Sequence, residues 1–341
     1  MNKTIDDYKY NIATWIFAAV FLLIILISKL LVVLLSALLV HELVMSSSPF
    51  FMNKFKISGD IAKVTVLVLV SSLVISTLVL LGLGVGQFFQ KGSDNLPSLL
   101  EKMAEILNHS KSLLPKDIVA YLPDNIETAK TAVADWLKHN AVFFKNAGAE
   151  VGRFIVHTLI GMIIGAMIAL REVKKENGDY PFVVAVEQRS TLLAQSFRKI
   201  IFAQTKISSI NTILTMIYLM IILPLFGIHL PFQKTIVALT FFFGLLPVVG
   251  NLLSNTIIII VSLSASFIVA VVSLAFLIII HKLEYFLNAR IMGEHIKAAA
   301  YELLIVIVIF EALFGIAGVV AAPIYYGYLK SELKTAKIIG G

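Results

Sequence analysis

Long apolar runs alternate with short polar clusters along this chain, and the runs are continuous rather than alternating as in a strand. A helical run of about 20 residues rises far enough to cross the apolar layer of a bilayer. Residues 12–27 and 30–44 are two short runs parted by Lys29, read as two thin helices with a snorkelling lysine. Residues 64–85, 151–170, 207–227 and 303–326 read as single crossings. Residues 236–281 are too long for one crossing and lack a charged break, so they read as two crossings joined in or near the apolar layer. The join is placed at 244–255, where Gly244, Pro247, Gly250, Asn251, Ser254 and Asn255 collect. Proline lacks an N–H and clashes with the preceding turn, and glycine loosens the helix. Irregular backbone at membrane depth persists only where protein or a wet cavity surrounds it. Broken helices build transport sites from their free N–H and C=O groups, and a purely structural kinked hairpin fits the same residues. The expected fold is all-α: a polytopic membrane protein of about eight transmembrane helices with a broken, re-entrant segment.

The polar clusters add an orientation. Residues 87–150 form the largest polar region, where Leu96, Leu99, Met103 and Ile106, then Ile126, Ala129, Val133 and Trp136, recur at helical spacing. With Pro97, Pro115 and Pro123 between them, they predict amphipathic helices forming an extramembrane cap. Residues 45–63, with Lys54, Lys56 and Lys63 against Asp60, read as a basic loop. Residues 171–206 are a second basic segment, in which Phe182, Val186, Leu193, Phe197 and Ile200 predict an amphipathic helix over 182–206 on or near the membrane. Lysine and arginine gather on the cytoplasmic side of short loops. Both basic segments are therefore expected in the cytoplasm and the cap outside, with both termini cytoplasmic in a multi-pass protein of the inner (cytoplasmic) membrane. The plan is an N-terminal membrane hairpin (1–44), a basic loop with the third helix (45–86), the cap (87–150) and a C-terminal transport region (151–341).

Composition agrees. The chain is 59% hydrophobic and 14% charged, where soluble domains carry about 25% charged residues. The net charge of +7 is assigned to cytoplasmic segments; no lysine and arginine blocks with interleaved aromatics suggest a nucleic acid partner. Without cysteine there is no disulfide, thiol nucleophile or thiolate metal site. The first apolar run is followed by another and by no small-x-small site, so a retained hairpin is expected rather than a cleaved signal. His41-Glu42 lacks the second histidine of a zinc-protease helix, His281-x-x-Glu284 stands alone, and no phosphate-binding loop occurs. The chain is read as neither an enzyme nor a cofactor or metal protein.

Several residues could carry chemistry. Glu311 follows the apolar run 303–310 and precedes another, which places it well inside the last helix. A carboxylate at that depth costs on the order of 3 kcal/mol. It either faces a cavity and binds a proton or cation, or is a neutral or paired structural group. Gln204, Ser208, Asn211 and Thr215 share one helical face, which packs on other helices or lines a path. Asn251, Ser254 and Asn255 offer uncharged oxygens beside the break, for an ion, a polar solute or helix capping. Arg290 either meets an anionic substrate or pairs with Glu284 or Glu294. Gly315 and Gly318, with Ala317, Ala321, Ala322 and Pro323, form a small-residue face suited to close helix packing.

Asn288-Ala289-Arg290-Ile291-Met292-Gly293 resembles the Pro-Arg-Ile-Met-Gly segment of the autoinducer-2 exporter (AI-2E) permease family. The stretch from Ala312-Leu313-Phe314-Gly315 through Gly318 to Ala322-Pro323 is similar to that family's final helix. Leu246-Pro247-Val248-Val249-Gly250 resembles its Pro-x-x-Gly break, and Phe197-Arg198 through Gln204 its basic helix before the fifth crossing. The chain departs from the pattern at Asn251, Ser254 and Asn255, at 298–302, and at Phe310-Glu311, all in the presumed transport region, so the substrate is not carried over. The resemblance implies a permease, in a family that covers small signal-molecule exporters and cation/proton antiporters. The expected function is a secondary transporter that moves a small solute, or exchanges cation for proton, by alternating access around 244–255 and the last helix. A non-transporting membrane scaffold and a passive channel are the alternatives. Expected partners are the lipid bilayer and a small-molecule or cation substrate, and the small-residue faces and cap suit a homo-oligomer.

Overall fold

The computed structural model describes residues 2–77, 79, 141–171, 180–245, 249–263, 265–296 and 299–339, nearly all helical and without a strand among them. Helix α1 is Asn2–Ile27, α2 Leu31–Phe55, α3 Gly59–Thr77, α4 Ala141–Leu170 and α5 Pro181–Ile217. A π turn, Tyr218–Ile222, and a last turn, Leu223–Leu225, extend α5. Helices α6 (Gln233–Gly244), α7 (Val249–Leu263), α8 (Phe267–Ile296), α9 (Ala300–Phe314) and α10 (Ile316–Thr335) follow. Most of the expected cap, 87–140, lies outside the described residues; 141–150 are the first turns of α4.

Among the described residues, six stretches are long and apolar enough to cross a membrane: Lys9–Ile27, Leu31–Phe55, Gly59–Thr77, Ala149–Leu170, Pro181–Leu225 and Phe267–Glu284. They coincide with six of the expected crossings, the first two parted by a turn with Lys29 at φ 57°. Helical hairpins occupy the other two places. Helix α6 has 12 residues and α7 has 15, so they rise about 18 and 22 Å against an apolar layer of about 30 Å. The two pack on each other, and the break falls inside the expected 244–255. Pro247 lies outside the described residues.

Three boundaries differ from the sequence expectation. The basic loop at 45–63 is mostly helix, with only residues 56–58 outside α2 and α3. Polarity there marks exposure rather than a helix end, and Lys54 stays on α2 over the rings of Phe50 and Phe55. The amphipathic segment 182–206 and the fifth crossing are one helix, because no glycine or proline interrupts the chain until Pro224. Pro181–Leu225 spans 45 residues, about 68 Å at the helical rise. The last crossing is not a single helix. Gly315 bends it at φ 62°, ψ −143°, a region essentially restricted to glycine, and α10 folds back on α9. Gly315 therefore acts as the bend. The packing contact belongs to Gly318, where a Cβ would lie 1.9 Å from the Phe310 carbonyl oxygen, with Pro323 buried farther along α10.

At the open end of this second hairpin, Tyr326 Oη and Lys330 Nζ donate to Glu302 Oε2, each at 2.6 Å. The Lys330 bond first, then that of Tyr326, holds the Glu302 carboxyl below the ordinary glutamate value. A lowered folded pKa means the contact contributes above the unfolded value and is lost as pH falls through the folded one. Acidification is expected to loosen the α9–α10 base, and Glu302→Gln to remove that pH dependence. Hydrogen exchange of the α10 amides across acid pH checks both.

The chain divides into two compact units. The first comprises Met1–Thr77, Gly152–Ala203 and Ala289–Gly341. Its apolar core joins Val40 and Val44 of α2, Val66 of α3, and Met162 and Ala169 of α4. Gly161 and Gly165, a Gly-x-x-x-Gly pair that the sequence reading did not single out, let α4 approach α2. A Cβ there would lie 2.4 and 2.3 Å from the carbonyl oxygens of Val33 and Ala37, the close contact such spacing permits. This unit also buries an ion pair. Arg189 Nη1 of α5 meets Glu332 Oε2 of α10 at 2.7 Å. Arg189 Nη2 donates to Asn11 Oδ1 at 2.7 Å, Trp15 Nε1 donates to Glu332 Oε2 at 3.0 Å, and the guanidinium lies over the Trp15 ring.

The second unit comprises Leu78–Val151 and Gln204–Asn288. Its core includes Tyr218, Leu219, Leu223, Ile236, Ile258 and Leu277. Tyr218 stacks on Phe276 at 3.9 Å, and its hydroxyl contacts Ser273 at 2.8 Å, which contacts Ser262 at 2.7 Å.

Candidate functional site

The second unit's site begins with a backbone problem. Helix α6 ends after only 12 residues, and the last four carbonyls of any helix lack intrahelical partners. Here each has a donor. Ser208 Oγ donates to the Phe241 carbonyl at 2.7 Å, and Gln204 Nε2 to the Gly244 carbonyl at 2.7 Å. The Leu245 N–H serves those of Phe242 and Phe243. The polar stripe read from the sequence on the fifth crossing thus caps the hairpin. Gln204, Ser208, Asn211 and Thr215 are all buried. Gln204→Ala would leave a buried carbonyl unpaired, which costs about 1–3 kcal/mol. A lower thermal unfolding midpoint of the purified protein in detergent is the expected result.

One turn farther along α5, Asn211 Nδ2 donates to Asn251 Oδ1 of α7 at 3.2 Å. Asn251 Nδ2 in turn donates to Glu284 Oε1 of α8. All three side chains are buried. The chain Asn211–Asn251–Glu284 joins the hairpin to the helices on either side. Beside it α5 and α8 leave only a narrow crevice without room for a water molecule, lined by Ile207, Ile210, Leu214, Ile280 and Leu283, with Asn211 and Glu284 as its polar groups.

The other sequence candidates are distributed differently. Ser254 is buried and donates to the Asn251 carbonyl at 3.3 Å, a local helix bond, while Asn255 is half-buried one position on. The Arg290 side chain lies outside the described residues. Glu311 is exposed in the last turn of α9, where its carbonyl accepts the Gly315 N–H at 2.8 Å. Its expected place deep inside one long helix fails because Gly315 ends that helix four residues later. Glu284 entered the sequence reading only beside His281 and as a neighbour of Arg290. The available signal was a carboxylate at the end of an apolar run, three residues beyond a histidine.

Gly250 sets how closely the two hairpin helices meet. A Cβ there would lie 1.6 Å from the Phe243 carbonyl oxygen. Gly244 is nearly as tight, since its Cβ would stand 2.5 Å from Ser208 Oγ. These glycines keep α6, α7 and the capping face of α5 in register with the Asn211–Asn251–Glu284 chain. Such an arrangement ties the short helix α7, through Asn251, to an ionisable side chain, Glu284, on α8.

A family model described as AI-2E family transporter matches residues 12–337. No curated protein matches the chain.

Proposed function

The chain belongs to the AI-2E family of transporters, and from that premise we propose that it is a secondary transporter working by alternating access. It moves a small solute or exchanges a cation for a proton, with the α6–α7 hairpin as the moving part. The observation that carries this reading is the buried bond from Asn251, on the hairpin, to Glu284. Polar groups in a transmembrane bundle are rare and mark solute or ion routes. The polar face of α5 gives the hairpin a docking track. Six candidate spans among the described residues, an even number, are compatible with both termini on one side; the basic residues of 45–63 and 171–206 favour the cytoplasm.

Sealed proteoliposomes containing a pH-sensitive dye test the reading. Proton movement on addition of sodium, potassium or lithium outside supports exchange. Its absence, in vesicles shown to hold folded protein, removes exchange and leaves export of small organic solutes as the function to assay. Loss of flux on replacing Asn251 or Asn211 by leucine is expected under either mode.

A further inference from the structure

Glu284 is a buried carboxylate, 6% exposed. Among the described residues no lysine or arginine pairs with it. The elements packed against it contribute the Asn251 amide from α7 and, through it, the Asn211 amide from α5. Its titratable neighbour is His281, three residues back on its own helix. No group of three histidine, aspartate or glutamate side chains that could hold a metal ion occurs among the described residues. A buried carboxylate in this setting is neutralised by a proton more readily than by a bound metal.

The hydrogen-bond chain has a direction. Asn211 donates to the Asn251 oxygen, which fixes the Asn251 amide with its N–H groups toward Glu284. That orientation suits an ionised carboxylate, which only accepts. Protonation forms an O–H bond on the carboxyl group and removes its charge, reducing a charge-assisted bond to one roughly half as strong. If the proton sits on Oε1, two donors face each other. Turning the Asn251 amide to relieve that clash sets its N–H groups against those of Asn211. Either way the link from α5 through α7 to α8 weakens.

We propose that Glu284 is the group that takes up and releases a proton in the transport cycle, and that Asn251 reads its state. The bare carboxylate holds the α6–α7 hairpin against α8; the protonated carboxyl lets it go. The inference rests on the transport reading and names its coupling ion. Uptake forms one O–H bond with a proton from water, release breaks it, and no other reactant is needed.

The protein lacks cysteine, so one cysteine gives a unique labelling point. Leu252, next to Asn251 on α7, is 69% exposed. A nitroxide on Leu252→Cys, in the full chain reconstituted into vesicles, reports hairpin mobility as pH changes. Mobility is expected to rise with a sigmoidal dependence as pH falls. Glu284→Gln should hold the label at the mobile limit at every pH and abolish proton-coupled flux. Glu284→Asp, which keeps a titratable carboxyl, should restore a sigmoidal profile with a shifted midpoint. A wild-type pH profile in Glu284→Gln overturns the proposal, as does a flat profile in both the unsubstituted chain and Glu284→Asp. If mobility titrates and the glutamine variant removes the titration while no solute or cation flux is found, the proton switch stands and the transport reading fails.

Discussion

Replacing Glu332 by alanine is expected to destabilise the protein by about 3–5 kcal/mol, because it leaves Arg189 charged and buried without its partner. Arg189 is 7% exposed and Glu332 4%, so water does not screen the orphaned charge. The loss also removes the acceptor of Trp15 Nε1, which helps seat α1 against α10. Arg189→Ala should cost a similar amount for the mirror reason. Removing both charges together, as Arg189→Met with Glu332→Leu, should recover most of the loss, since an apolar pair of similar volume often matches a buried ion pair. Thermal unfolding midpoints of the four proteins in one detergent decide the matter. Equal midpoints for Glu332→Ala and the parent chain would show that the pair is not buried in the folded protein.

Gly250→Ala is the second large effect. One methyl group would have to occupy space 1.6 Å from the Phe243 carbonyl oxygen, with that residue's carbonyl carbon at 2.3 Å. These are backbone atoms and cannot rotate away, so the helices of the α6–α7 hairpin must separate. Overpacking of this kind costs about 1–3 kcal/mol and occasionally more; a backbone clash belongs at the upper end. Separation also pulls Asn251, the next residue, away from its partners on α5 and α8. A low yield of folded, monodisperse protein and lost flux are expected together. Gly152→Ala is the comparison: a Cβ there meets nothing within 4 Å, and alanine is the better helix former by about 1 kcal/mol. If Gly250→Ala behaved like Gly152→Ala, the close crossing of α6 and α7 would be wrong.

The two effects act in different units. The Arg189–Glu332 pair ties α1, α5 and α10 within the first. Gly250 fixes the hairpin that carries Asn251 within the second. The proton proposal concerns the second unit, so the ion-pair variants that retain folded protein should keep the pH profile of the nitroxide.

The sequence by itself determined the helical membrane class, six of the spans, the hairpin break at Gly244 and Gly250, and the buried polar face of α5. Each follows from a local property: apolar run length against bilayer thickness, the backbone chemistry of glycine and proline, and the 3.6-residue period that places Gln204, Ser208, Asn211 and Thr215 on one side. Tertiary structure alone decided what that face does, since the carbonyls it caps lie 33 and 40 residues away in the chain. It also decided that Gly315 bends the last apolar run back on itself. An unbroken helix and a hairpin share nearly the same apolar pattern; contacts such as those of Glu302 with Tyr326 and Lys330, of Gly318 with Phe310 and of the Phe310 ring with Tyr325 distinguish them. That bend put Glu311, exposed, in the last turn of α9, four residues before the hairpin tip, while Glu284 of α8 is buried against Asn251 of the α6–α7 hairpin. The ion pair of Arg189 and Glu332, 143 residues apart, was equally hidden. Charge in a sequence reads as surface until a fold supplies a partner that makes its burial tolerable.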